Sequence, residues 1–127
     1  YFYLTGHDSG SIEGPVEQFF ADAYTPVVDS SAIPTGEIAS VEGTPMDFRT
    51  EKQIGQDIRA DFEQLHFTGG YDHNYVLGRP GEKKIMATAY CRESGIALGA
   101  ETECCGGQFY AGNLIVQTGK GGASYHD

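Results

Sequence analysis

Gly69-Gly70-Tyr71-Asp72-His73-Asn74-Tyr75-Val76-Leu77 is the stretch on which the reading of this chain turns. Paired glycines favour a turn, and the residues that follow alternate in the way of a strand. One acid, Asp72, stands among glycine, aromatic and amide residues where loop gives way to strand. A carboxylate so placed packs poorly, yet it accepts hydrogen bonds well, two hydroxyl donors at once. It is equally the kind of acid that caps a turn after glycines, and the spacing alone leaves both readings open. Successive side chains of a strand point to opposite faces. If Asp72 faces a cleft, His73 faces away from it, which argues against a catalytic His73.

Downstream, the pattern continues as strand, turn, strand, turn. Ile85, Ala87, Ala89 and Cys91 form one face of a strand, with Met86, Thr88 and Tyr90 on the other. Neither face is charged, so this strand belongs in the middle of a sheet. Leu98, Ala100 and Thr102 alternate with Gly99, Glu101 and Glu103, as in a half-buried strand. Glu101 and Glu103 share a face and read as solvated acids rather than an acid–base pair. A third run, Gly107 to Val116, is broken at Gly112-Asn113, and Gly119-Lys120-Gly121-Gly122 reads as a flexible loop. On this run Gln108 and Tyr110 share a face.

Upstream, Tyr1 to Leu4 reads as a strand and Gly6 to Gly10 as a loop. Val16 to Tyr24 reads as one extended run, stopped at Thr25-Pro26 because the residue before proline avoids the helix. Ile33 to Ile38 forms a turn that leads into a short strand. Ile54, Ile58, Phe62 and Leu65 recur at near-helical spacing and predict a short helix, which Gly55 weakens by ~1 kcal/mol. Arg49, close to Asp47, reads as an ion-paired loop fastener. His7, His66 and His126 lack partners at revealing spacing and read as structural or solvent-facing.

Composition agrees with many turns between short strands. The 127 residues include 18 glycines, about twice the usual ~7%. No internal repeat or linker divides the chain, and we treat 1–127 as one unit, an antiparallel all-β sandwich or part of one. The formal net charge of -10 repels nucleic acid and anionic membrane surfaces, leaving a neutral small molecule or a cationic partner. No apolar run approaches the ~20 residues of a membrane helix, and the N-terminus lacks the marks of a signal peptide. Three cysteines, Cys91, Cys104 and Cys105, make a poor disulfide framework. Free thiols fit a reducing compartment, and the expected location is cytoplasmic.

Several words of this sequence resemble, in order, successive motifs of the aldose 1-epimerase (galactose mutarotase) family. They are Tyr24-Thr25-Pro26-Val27, Ile33-Pro34-Thr35-Gly36-Glu37-Ile38, Val41 through Arg49, Ile54-Gly55, Gly70 through Asn74, Gln108 through Asn113, and Gly119 through Gly122. The resemblance spans essentially the whole chain. It implies a portion of the galactose mutarotase-like supersandwich and interconversion of the α and β anomers of an aldohexose such as glucose or galactose, with no cofactor and no metal. It implies substrate contacts at Asp72, Gln108 and Tyr1. The acid His and base Glu are expected outside this chain, which would be part of a single epimerase domain truncated at both ends and inactive alone. The alternative is a non-catalytic carbohydrate-binding sandwich of the same fold. Some positions depart from the family pattern. Tyr3 stands for Asn, Ile96 for Arg and Ala111 for Thr. Cys105-Gly106-Gly107 replaces Pro-Gly-Val, which predicts a looser approach to Gln108.

Overall fold

A computed structural model describes residues 4–6, 11–118 and 124–126. The strands, in chain order, are β1 (Val16–Phe19), β2 (Ala23–Thr25), β3 (Ala39–Ser40), β4 (Lys52–Gln53), β5 (Asp72–Val76), β6 (Lys84–Tyr90), β7 (Ala97–Thr102), β8 (Gly106–Tyr110), β9 (Val116–Thr118) and β10 (Ser124–His126). A 3-10 turn, Ile54–Gln56, and one short helix, α1 (Glu63–Thr68), lie between β4 and β5. One sheet has the order β4-β1-β6-β7 and a second the order β3-β2-β5-β8, while β9 and β10 pair separately. Every pairing is antiparallel. The all-β expectation holds. The strand read at Tyr1 to Leu4 falls mostly outside the described residues, as do His7–Gly10 of the following loop and the glycine-rich segment 119–123.

The two four-stranded sheets face each other across an aromatic core. Phe19 of β1 stacks on Tyr75 of β5 with ring centroids 4.4 Å apart. Tyr71 stacks on Phe109 of β8 at 5.1 Å, and Phe48 meets both edge-on. Such pairs contribute ~0.5–1.5 kcal/mol each beyond the area they bury. Tyr71 and Tyr75, both fully buried, also need partners for their hydroxyls. Tyr71 Oη donates to the Pro45 carbonyl and Tyr75 Oη to that of Met46, both at 2.9 Å. The loop carrying Phe48 is thereby tied to the second sheet. Lys52 closes the same corner: its Nζ lies 4.4 Å from the Phe48 ring centre and 2.7 Å from Asp57 Oδ2.

Three local readings change. The extended run Val16 to Tyr24 is two strands in different sheets, because the chain passes from one sheet to the other at Phe20-Ala21-Asp22. The near-helical spacing from Ile54 to Leu65 arises from two separate pieces, and α1 itself begins only at Glu63. Gly55 is there for close approach: a Cβ would lie 2.5 Å from Glu13 Cβ and 2.8 Å from its carbonyl oxygen. In β6 a bulge makes Met86 the extra residue between Ile85 and Ala87. A bulge reverses the facing of what precedes it, so Ile85 turns outward, 51% exposed, while Met86 packs on the core. Among the described residues no helix is long and apolar enough to cross a membrane.

Alternation along β1 places Glu17 on the same inward face as Phe19, and Glu17 is only 7% exposed. Lys52, directly opposite it, spends its amino group on Asp57 and the Pro45 carbonyl. Burial without a counter-charge raises the Glu17 pKa from 4.5 to about 8. Between those values the folded state keeps a proton that the unfolded chain has released, so stability falls as pH rises from 4.5 to about 8. We expect Glu17→Gln to remove this slope and to exceed the parent in stability at pH 8, by on the order of a few kcal/mol. Urea denaturation of both proteins across this range checks it; parallel stability curves would refute the assignment.

Candidate functional site

On β5 the inward side chains are completely buried: Tyr75 at 0% and His73 at 1% exposure, preceded by Tyr71 at 0%. Asp72, Asn74 and Val76 are therefore carried on the opposite, half-buried face. The register brings β8 alongside, with Asp72 opposite Tyr110 and Asn74 opposite Gln108. Gln108 Nε2 donates to Asp72 Oδ1 at 2.7 Å. Two of the three expected substrate contacts are thus hydrogen-bonded to each other on the outer face of the sheet; the third, Tyr1, lies outside the described residues. Tyr110 shares the face, and its hydroxyl accepts the Leu114 N–H at 3.1 Å. Thr25 of β2 adjoins Asn74 on the other side.

The approach to Gln108 is firmly held, contrary to the expectation drawn from the missing proline. Cys105 C=O accepts the Leu77 N–H at 2.9 Å, and β5–β8 pairing runs unbroken from Gly106 to Tyr110. The glycines of that segment serve packing. A Cβ on Gly106 would meet Asn74 Oδ1 at 2.6 Å, and one on Gly107 would meet Met86 Sδ at 2.3 Å. Gly106 therefore leaves room for the Asn74 amide on the same polar face. Asn74 escaped the sequence reading, although its two-residue spacing from Asp72 carried the signal.

Beneath this face lies a buried polar network. Gln64 of α1 receives the Val27 N–H on Oε1 at 2.7 Å and donates through Nε2 to the Val27 carbonyl at 3.1 Å. His73 Nε2 is 3.3 Å from the same Oε1, and the Asp72 N–H points to His73 Nδ1 at 3.3 Å. These partners assign the neutral ring with its proton on Nε2. Burial lowers the His73 pKa, against an opposing pull from the Asp72 charge. His73 is a structural residue beneath the site and no part of its surface.

The remaining candidates lie apart. Arg49 grips Asp47 with two nitrogens, at 2.9 and 2.8 Å, and fastens its own loop. Glu101 pairs with Lys83 on the surface. His66 is within α1 beside Asp61, and the backbone at His126 is in β10. The three cysteines are free, Cys91 buried and the adjacent pair exposed. Among the described residues no three potential metal ligands gather. The polar face itself offers a carboxylate with a second oxygen, two carboxamides and a threonine hydroxyl. That mixture of acceptors and donors suits a neutral polyhydroxylated ligand.

A model of the aldose 1-epimerase family matches residues 1–124. The galactose mutarotase of Bos taurus is 40% identical over 127 residues, which cover 98% of this chain and 35% of that protein. The aldose 1-epimerase of Escherichia coli is 36% identical over 116 residues, 91% of this chain and 33% of that one. Among solved structures, an aldose epimerase homologue from C. elegans matches with a TM-score of 0.74 at 25% identity, over 94% of this chain and 35% of that chain. The chain thus spans about a third of the length of the curated relatives it matches.

The Gln64 network yields a stability test. Gln64→Ala strips the Val27 amide and carbonyl, and His73, of their shared partner. The expected loss is ~1–3 kcal/mol, seen as a lower urea midpoint at unchanged slope. An unchanged midpoint would show that water replaces the amide without loss.

Proposed function

The chain belongs to the aldose 1-epimerase family, and from that premise we propose that it forms a sugar-contacting wall of an enzyme that interconverts the α and β anomers of aldohexoses. The observation that carries the reading is the bonded pair Asp72–Gln108 on the outward face of β5 and β8. Asp72 holds sugar hydroxyls through its free oxygen. Gln108 already gives one amide hydrogen to Asp72. It retains its carbonyl oxygen for a hydroxyl donor and its second hydrogen for a hydroxyl or the ring oxygen. Carboxylate–hydroxyl bonds are about twice as strong as neutral ones.

The chemistry proceeds by ring opening. A base takes the proton from the anomeric hydroxyl while an acid protonates the ring oxygen, and the bond from the anomeric carbon to the ring oxygen breaks to give the open aldehyde. Rotation beside the aldehyde carbon exposes its other face, and reversal of the two proton transfers closes the ring as the opposite anomer. Each transfer to a positioned group contributes ~10²–10⁴-fold. Among the described residues of that polar face, the titratable groups are Asp72 and Tyr110. We therefore assign the acid and base, a His and a Glu by family resemblance, to segments beyond this chain and treat residues 1–127 as part of one epimerase domain. The names of the relatives support a catalytic reading over a purely carbohydrate-binding one. The free cysteines suit the cytoplasm, where we place the protein.

Two measurements test this. In the complete protein, Asp72→Ala should lower kcat/KM for galactose or glucose mutarotation ~10- to 100-fold, the equivalent of a lost charged hydrogen bond. Unchanged affinity and turnover would dismiss Asp72 as a ligand. Polarimetry of fresh α-glucose with the 127-residue chain alone should show only the spontaneous rate. Clear acceleration would place the catalytic groups within this chain.

A further inference from the structure

We propose that Asn113 is a positioning residue for Asp72, a staple that sets the backbone from which the sugar-holding carboxylate projects. The inference rests on the reading of Asp72 as a sugar contact. Its basis is a set of contacts between the end of β8 and the entry to β5. The Tyr71 carbonyl is the last backbone acceptor before Asp72. It receives two donors, the Ala111 N–H and Asn113 Nδ2, each at 2.9 Å. The same Nδ2 also reaches the Thr68 carbonyl at the end of α1, at 3.3 Å. One amide therefore holds both the helix terminus and the residue preceding Asp72.

The opposing backbone is shaped to receive it. Gly70 has φ +143°, and a Cβ there would lie 2.3 Å from Asn113 Oδ1 and 2.8 Å from its Cγ. Any side chain at position 70 would occupy the space of the staple. Gly112, at φ +87°, begins a turn closed by the Ile115 N–H on the Gly112 carbonyl at 3.0 Å, which points Asn113 back across the strands. Leu114 N–H on Tyr110 Oη secures the same loop to the site face. The strands joined by Asn113 are the two that carry Asp72 and Gln108. A rotation of the Tyr71–Asp72 peptide would move the carboxylate away from the Gln108 amide. Asn113 opposes that rotation without lying on the sugar face.

The test is a double-mutant cycle in the complete protein, read by polarimetric kinetics on galactose at a temperature where all variants are folded. Asn113→Ala should lower kcat/KM by about tenfold, mainly through KM, because the contact it positions binds ground and transition states alike. In an Asp72→Ala background the same change should cost less than about twofold, since Asn113 then has nothing to position. If Asn113→Ala leaves kcat/KM within about twofold while Asp72→Ala lowers it, the staple is structural only and this inference fails, with the sugar contact intact. Equal losses in both backgrounds also overturn it. If Asp72→Ala itself has no effect, the sugar contact falls and the inference with it. Should Asn113→Ala not fold, Asn113→Ser is measured in the same cycle; if neither folds, Asn113 is a folding element and the inference is wrong.

Discussion

The strict alternation of β5 is the constraint on which the rest depends. Tyr71, His73 and Tyr75 must be inside, and this forces Asp72 and Asn74 outside. Each large apolar side chain gains ~1.5–3 kcal/mol on burial. A slip of one residue would expose three rings and drive a carboxylate and an amide into the aromatic core. The stacks of Phe19 on Tyr75 and Tyr71 on Phe109 tie this register to β1 and β8. The location of the polar face is therefore fixed by the core beneath it. A change at Asn74 or Gln108 would leave the aromatic stacks in place, whereas Asp72 could not turn inward without dismantling both.

What was legible in the sequence follows from the range of each interaction. The two-residue period assigned opposite faces to Asp72 and His73, and the structure keeps them there. The same period, applied to Val16-Glu17-Gln18-Phe19, would have exposed the buried Glu17, because it shares a face with Phe19. The period misleads where the backbone departs from regularity. The bulge at Met86 sends Ile85 outward, and nothing in the apolar run around it announces the insertion. Near-helical spacing misled between Ile54 and Leu65, where sharp turns, one against Glu13, happen to return apolar residues to the core. The Asn113 contacts were beyond local reading altogether. They join side chain to backbone across more than forty positions, and only the glycine-asparagine pair hinted at an unusual turn.

Polar atoms enter this interior under strict terms. The two tyrosine hydroxyls find loop carbonyls, and the His73 ring is neutral and bonded through both nitrogens. Lys52 is paired with Asp57 where both still reach solvent. Glu17 is the exception, since no described residue is hydrogen-bonded or ion-paired to its carboxyl, and protonation is the means by which it remains inside. Of the 18 acids in this chain, Glu17 is buried in the core with its pKa pushed up, and Asp72 is presented on a half-buried face, where a carboxylate retains its capacity as an acceptor.

The Asp72–Gln108 bond is exposed to water, and bonds of that kind contribute little to folding. Its value is directional. An unrestrained glutamine amide presents oxygen or nitrogen with equal ease, so an incoming hydroxyl would meet either polarity. With Nε2 committed to Asp72, the oxygen is turned away from the carboxylate and the polarity of the pair is set before a ligand arrives. Under the proposed function, a pyranose settling on this face would displace water from the same bond, and the loss of water would strengthen it. The weak surface contact of the free protein and the strong contact of the bound one are then the same interaction in two dielectric environments. Under the same proposal the supporting residues, from Gln64 and His73 below to Asn113 beside, would influence sugar binding more than the isolated stability of the pair suggests.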